Sequence, residues 1–513
     1  MTVMGTKDRV FAALPPVTLE NLVPPDHFYR HLELSLDLDF VRDLVRGTYA
    51  ETGRPSIDPV VFFKLQLILF FEGLRSERQL MHVVADRLSL RWYLGYDLTE
   101  PLPDHSSLTR IRERYGLDVF RLFFEAIVEQ CIGTGLVWGQ EVFIDATKVA
   151  ANAALASLHP RFAVEAHLAR LFAEAEDDSD GGERSGAAGE AGNDPVRLPV
   201  ALTEEGHGEL ADRAAQRHDW IGRGGRPNRT KRSGTYRRTA DFRVSTTDPD
   251  ATPMPLGDGR THLGYQDHYV VDGGRARIIL TALVAPAEVQ ENQPALDLLW
   301  RVRFRWKLRP GQVTGDTKYG TVENIAALEH QRIRAYFPLS EVGQRAGRFG
   351  ERDFTYDTAS DSYRCPGGQT LRFLSHCQST QRRIYAAPAG VCRTCELRAQ
   401  CTTSSRGRRI GRHPDEPYLD RVRAYHATEP YAKAMRKRKV WVEPLFAEAK
   451  DWHGLRRFRL RGLEKVNGEA LLIAAGQNLK RLLSWRGWGR RPFPGGATGA
   501  VLPFLRPPLA TIS

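Results

Sequence analysis

Apolar residues recur with a helical period over residues 56–136. The segment "SIDPVVFFKLQLILFFEGL" is apolar on nearly every side, with Ser56 or Asp58 placed to cap it. "SERQLMHVVADRLSLRWYLGYD" continues the pattern, and "PDHSSLTRIRERYG" predicts a short basic helix opened within residues 104–107 and closed at Gly116. Such a set of helices suits either a helix-turn-helix-like DNA binder or a plain bundle. At Val137 the pattern changes. Val142, Phe143 and Ile144 form an unbroken apolar run, as in a strand buried on both faces, and Asp145 follows where more core is expected. Later, "HLGYQDHYVVDGGRARIILTALVAPAEV" predicts a hairpin of residues 269–271 and 277–284 around "DGG". "ENQPALDLLWRVRFRW" reads as a helix, and "GQVTGDTKYGTVENIAALEHQRIRAYFPL" as strand, Asp316, a helix capped by Thr321, and strand. Residues 339–431 carry no helical period, whereas residues 431–485 give one long helical pattern, with "EALLIAAGQNLKRLL" as helix core. The expected fold class is α/β: a mixed sheet with helical crossovers, an all-helical region before it, and a small cysteine-bearing insertion.

Length and composition refine this outline. A chain of 513 residues is long for one core, so several domains are expected. They are a helical region at 1–136, a first part of the sheet domain at 137–340, an insertion at 341–430, a second part at 431–485, and a loose tail at 486–513. The polar stretch around 174–235 is expected to be a flexible linker, acidic at 174–194 and basic at 223–243. The net charge of +11 favours a polyanionic partner, nucleic acid above all, with an ordinary soluble basic protein as the bland alternative. No secretory leader is expected from "MTVMGTKDRVFAALPPVTLE", and the most apolar run, residues 59–74, is short and carries Lys64, so no membrane partner is expected. Six cysteines in so long a chain do not make a disulfide scaffold, which points to a reducing, cytoplasmic setting.

A carboxylate taken out of water needs a cation, so Asp145 calls for one. Asp316 also follows a strand directly, and ligand sites of α/β sheets gather at the carboxyl ends of strands. A third acid stands in "AMRKRKVWVEPLFAEAKDWHGLRRF", where Arg436, Lys439, Glu443 and Lys450 have the spacing of one helix face. Pro444 requires that Glu443 lie near a helix start or that the helix bend there. Glu448 competes with Glu443 for the role. The bland account is surface pairing of Lys439 with Glu443. Trp452 is expected in the core, with stacking on a displaced base as the alternative.

The blocks "FIDATKVAANAA", "LGYQDHYVVD", "GDTKYGTVENI" and "VEPLFAEAKDWHGLRRFRLRGLEKVNGEALLIAAGQNLKRL" resemble, in order, those of bacterial insertion-sequence transposases of the DDE type. "RPSIDPVVFFKLQLILFFEGL" and "DHSSLTRIRERYG" resemble the helical N-terminal domain of one branch. The resemblance implies an RNase H-like catalytic domain with Asp145, Asp316 and Glu443 as its acid triad, holding two Mg²⁺ ions (or Mn²⁺). It implies cleavage at the element's ends and transfer of the freed 3′-hydroxyls to target DNA. Double-stranded DNA is then the partner, with a homodimer assembled on it, in the cytoplasm at the nucleoid. Related branches carry a Tyr-Arg-Glu-Lys pattern around the glutamate; here Lys450 keeps its place, while Lys439 and Arg436 stand for the arginine and tyrosine. Arg436, Lys439 and Lys450, with Arg456 and Arg457 beyond, are the expected DNA contacts. A structure-selective nuclease of the same fold, or a decayed regulator that only binds DNA, are the alternatives.

Cys365, Cys392, Cys395 and Cys401 read C-x26-C-x2-C-x5-C, a pattern that fits a structural zinc, with His376 and Cys377 as alternative ligands. Cys131 lies on an apolar helical stretch and is expected to be an inert buried thiol.

Overall fold

The computed structural model describes residues 17–49, 56–160, 243–257, 259–339, 348–378 and 381–489. The expected linker, the basic stretch up to residue 242 and nearly all of the tail lie outside these residues. The described chain opens with α1 (Leu19–Leu22), α2 (Phe28–Ser35), α3 (Phe40–Val45), α4 (Pro59–Phe71), α5 (Glu77–Asp86), α6 (Leu88–Leu94) and α7 (His105–Gly133). Asp58 is the residue that caps α4: its carboxylate accepts from the Val60 N–H at 2.8 Å, and Pro59 occupies a first-turn position where its missing N–H costs nothing. Because α4 is apolar all round, it sits in the middle of the helices rather than on a face.

Gly116 does not close its helix as expected. It leaves helical geometry at φ 61° and ψ −176°, yet α7 resumes beyond it, and the N–H freed at Leu117 donates to Glu464 at 3.1 Å. The helix continues because Val119, Phe120, Phe123, Phe124, Ile127 and Val128 present a further apolar face that is fully used in the core. Cys131, on the same face, is fully buried, and burial pushes its thiol up to about 12.

The sheet follows the expected pattern of an RNase H-like domain. Strand β1 (Glu141–Ala150) is flanked by β5 (Thr261–Asp272), antiparallel, and by β7 (Gln312–Thr314), parallel; β6 (Ile279–Pro286) pairs antiparallel with β5 and β8 (Arg334–Tyr336) parallel with β7. The order is thus β6-β5-β1-β7-β8. The short strand β4 (Thr252–Pro255) pairs with the first residues of β5, and β2 (Leu158–Pro160) pairs with β3 (Arg243–Ser245). The crossover helices are α8 (Ala295–Arg305) and α9 (Val322–His330), with Thr321 capping α9 through the Asn324 N–H at 3.3 Å.

Residues 348–412 hold a second, five-stranded sheet, β9 (Thr355–Asp357), β10 (Ser362–Arg364), β11 (Thr370–Cys377), β12 (Arg382–Ala386) and β13 (Arg409–Arg412), each antiparallel to its neighbour. Its own core has five buried residues: Phe354, Tyr363, Leu371, Tyr385 and Ile410. A helix absent from the expected pattern, α10 (Glu416–Tyr425), returns the chain to the first sheet, where Arg421 and the Tyr425 hydroxyl both reach the buried Glu329.

The single long helix expected over residues 431–485 is three helices: α11 (Glu429–Trp441), α12 (Glu443–Trp452) and α13 (Leu463–Trp485). Pro444 ends the first by denying it a backbone donor, and Gly454 and Gly462, both at positive φ, carry the turn between the last two. Arg436 and Lys439 therefore do not share a helix with Glu443 and Lys450. Trp452, expected in the core, is 73% exposed, since the helix ends on it and turns away.

Helix α13 ties the molecule together. It packs on α7 and α4, and Gly476 lets the Phe70 ring approach so closely that a Cβ there would lie 2.6 Å from it. On its other side, Asn478 donates to the Ile279 carbonyl and accepts from the Ile279 N–H, both at 2.8 Å. Asn467 does the same at Val284, at 2.8 and 3.0 Å. Two buried amides thus pair the edge strand β6 as another strand would. Among the described residues no helix is long and apolar enough to cross a membrane. Replacing Asn478 with Ala strands one buried donor and one buried acceptor, so Asn478→Ala is expected to lower the unfolding free energy by about 2–4 kcal/mol, measured by chemical denaturation.

Candidate active site

Asp145 lies on β1 at the point where the strand leaves the apolar run, and it is 8% exposed. On the parallel neighbour, Phe143 is level with Thr314, so Asp316, two residues past Thr314, comes level with Asp145, two past Phe143. Each aspartate is two residues beyond that last paired position, and the charge of Asp316 is felt at Asp145. Asp316 is half-buried and accepts from the Lys318 N–H at 2.9 Å, an arrangement that fixes the turn after the strand.

Glu443 is the first residue of α12 and is exposed. It reaches the aspartates through a residue that the sequence did not single out, Arg438. The Arg438 guanidinium donates to Asp145 Oδ2 at 2.7 Å, and its other nitrogen lies 3.8 Å from Glu443 Oε1. It is largely buried between them. Glu448, the competing acid, is engaged elsewhere: Lys480, Arg481 at 3.0 Å and Gln477 at 3.3 Å hold its carboxylate against α13. Although burial opposes ionisation, His453 and these cations keep Glu448 well below the usual carboxylate range. It is a fixed anchor of α12.

Two further residues complete the acidic end of the sheet. Glu291, in the loop before α8, is 9% exposed and pairs with Lys318. The Tyr319 hydroxyl is buried without a partner, among the charges of Asp145, Glu291 and Asp316, which with burial push it well above its ordinary value. Burial raises Asp145 to about 6; Asp316 and Glu291 add to the rise, while Arg438 and the Ala146 N–H pull it back.

The expected DNA contacts divide. Lys450 is half-buried and donates to Thr147 Oγ1 at 2.6 Å, on the face of β1 that also carries Asp145. Burial, helped by Arg456, lowers its pKa. Arg436 is exposed and pairs with Glu429 at 2.8 Å, Lys439 is exposed, and Arg456 pairs with Asp451 at the surface. Arg457 is spent partly on structure, donating to the Ala151 carbonyl at 3.1 Å and to Asn152 at 3.3 Å. Lys437 is anchored to Glu141 and to the Gly273 carbonyl, which fastens α11 to the base of the sheet.

Among the described residues no three acidic, histidine or cysteine side chains stand close enough to hold a metal ion. The reason at this end of the sheet is the guanidinium of Arg438, which itself separates Asp145 from Glu443. The donor set nonetheless fits a hard divalent cation: oxygen ligands on adjacent strand ends, a buried carboxylate that ionises only near neutrality, and the unpartnered Tyr319 hydroxyl beside them. Asp145 and Asp316, with Glu443, are the residues that could hold it.

Residues 17–114 match the family model described as transposase domain (DUF772), and residues 364–483 match that described as transposase DDE domain. Both matches support an insertion-sequence transposase of the DDE type. The second match includes Glu443, Lys450 and the cysteine-bearing module; Asp145 and Asp316 lie outside both. No curated protein and no solved structure matches the chain. As a DNA transposase it is a DNA-binding enzyme, and DDE transposases generally use divalent metals.

The signal for Arg438 was hidden by its neighbours. "RKRK" offers four cations in a row, and only the break at Val442 decides which of them faces the sheet.

Asp145 supplies a pH test. Its value in the folded transposase is above the ordinary 3.8, so folding carries no penalty at low pH, a growing one from about pH 4 to 6, and the full one above. Asp145→Asn, whose oxygen can still accept from Arg438, is expected to unfold at a higher temperature than wild type at pH 7.5. The difference, on the order of 1–3 kcal/mol, should close by pH 4. Calorimetry at both pH values measures it.

Glu448→Gln and Glu443→Gln separate anchor from site. The first should lower stability by about 2–3 kcal/mol and the second by less than about 0.5 kcal/mol, in urea titrations.

Proposed function

We propose that this transposase cuts DNA at the ends of its insertion sequence and joins the freed 3′-hydroxyls to target DNA, with Asp145, Asp316 and Glu443 as the catalytic acids. The arrangement that carries the reading is one guanidinium, Arg438, joining Asp145 to Glu443 while Asp316 stands level with Asp145. Acids far apart in sequence meet at one sheet end, around a cation.

These three acids would hold Mg²⁺ or Mn²⁺. A pair of such ions supplies compensation for the charge that develops on the attacking and leaving oxygens of an in-line displacement. The chain's own residues then do the following. Burial keeps Asp145 protonated below about pH 6 and makes it a full-charge ligand above. Arg438 and Lys450 put two positive charges on the Asp145 face of β1, where a scissile phosphate would lie. Arg436, Lys439 and Arg456, exposed on α11 and just past α12, would follow the DNA backbone away from that point.

In cleavage a water oxygen joins phosphorus as the bond to the 3′-oxygen breaks, leaving a 3′-hydroxyl. In transfer that oxygen joins a target phosphorus as the target's own 3′-oxygen leaves. One phosphodiester is made for each one broken, so the joining step needs no nucleotide. Two ends must be handled together, which favours a homodimer assembled on DNA.

The test is nicking and strand transfer by the purified protein on DNA carrying the element's ends, with Mg²⁺ or Mn²⁺. Asp145→Ala, Asp316→Ala and Glu443→Ala should each fall to background while binding the same DNA within about threefold of wild type, well under the tenfold of 1.4 kcal/mol. Cutting at the wild-type rate by any of them removes that residue from the triad. Binding without nicking by the wild type would mark a regulator, and equal cutting of branched DNA without end sequences a repair nuclease. Lys450→Ala should also lower the slope of log affinity against log salt by about 1.

A further inference from the structure

We propose that Cys365, Cys392, Cys395 and Cys401 bind one structural Zn²⁺ through four thiolates and so fasten the second sheet, independently of the chemistry at Asp145. All four cysteines line one pocket, walled by Phe354, Leu371 and Leu397. Cys365 sits in the turn "CPGGQ" between β10 and β11, where Gly368 donates to its carbonyl at 2.8 Å and the Gln369 N–H donates to its sulfur at 3.3 Å. The sulfurs of Cys365 and Cys395 both lie within 3.7 Å of one point, the place a Cβ on Gly367 would take. Cys401 ends a helical turn, Arg398–Cys401, on the same pocket.

The need for a metal comes from what surrounds it. Residues 387–408, between β12 and β13, contain no strand and only two single helical turns. A connection that long must be fixed by something, and five buried side chains make too small a core to do so. Three of the four cysteines are on this connection and the fourth is on the facing turn, so one ion would close it.

The donors are soft and the spacing includes Cys-x2-Cys, which selects zinc over the hard cations of the acidic site. Zn–S bonds of about 2.3 Å in a tetrahedron bring sulfurs to about 3.8 Å. As they stand, no three of these thiols are close enough to hold an ion, so binding zinc requires the cysteine side chains to turn into the pocket they line. His376 and Cys377, at the far end of β11, do not line the pocket. Cys365, Cys392, Cys395 and Cys401 are not joined in disulfides.

The protein as isolated should contain one zinc per chain by elemental mass spectrometry. Cobalt exchange should give the intense visible bands of a tetrahedral thiolate site. Cys395→Ser and Cys401→Ser should lose the metal. Because those variants could misfold, wild-type thiols supply the second measurement: four of the six should resist a thiol reagent until a strong chelator is added. Chelation should also lower the melting temperature. No zinc, with these cysteines reacting at once or found as disulfides by mass, overturns the proposal. Asp145→Ala should keep its zinc, so loss of cleavage and loss of zinc report on separate claims.

Discussion

A carboxylate buried within a strand must be compensated, and the candidate site on this sheet is arranged around that requirement. Asp145 meets the guanidinium of Arg438, brought in by the last turn of α11. Everything that positions Arg438 is therefore part of the site. Lys437 grips Glu141 and the Gly273 carbonyl, Trp441 donates to the Gly274 carbonyl at 3.0 Å, and Pro444 turns the chain so that Glu443 follows at once. Arginine here satisfies the charge without the strict geometry of a metal, and it occupies the place between the two acids that a divalent ion would contest.

The same need for partners explains how the helices at the start of the chain pack against the sheet. β6 is an edge strand whose free backbone groups are taken by Asn467 and Asn478 of α13. With those side chains turned to the sheet, the other flank of α13 is apolar and packs on α4 and α7. The hydrophobic core thus runs without interruption from the first helices to the sheet.

The second sheet obeys different rules. Its strands are short, its core is five residues, and most of β11 is exposed. Such a unit gains little from burial, which is the reason a cross-link through its cysteines is worth testing.

Much was legible in the chain before any fold was known. The run Val142–Phe143–Ile144, the "DGG" hairpin and the caps Asp58 and Thr321 are local signals, each set by burial or by one backbone hydrogen bond, and they mark the central strand, the hairpin and two helix starts, whereas the order of strands across the sheet came from the packed structure. Asp316 was expected just past a strand and lies there, whereas Asp145, expected at a strand end, sits inside β1, because β5 goes on pairing with β1 as far as Ala150. Local signals fail where a partner lies far along the chain. Whether Gly116 ends a helix or bends it depends on the apolar face that follows and on Glu464; whether Glu443 or Glu448 serves the site depends on Lys480 and Arg481; and which cation of "RKRK" faces Asp145 depends on a turn after Trp441. Periodicity reports which residues seek burial, but only the packed structure decides which charge meets which, because an ion pair is a matter of distance in space and not of spacing along the chain.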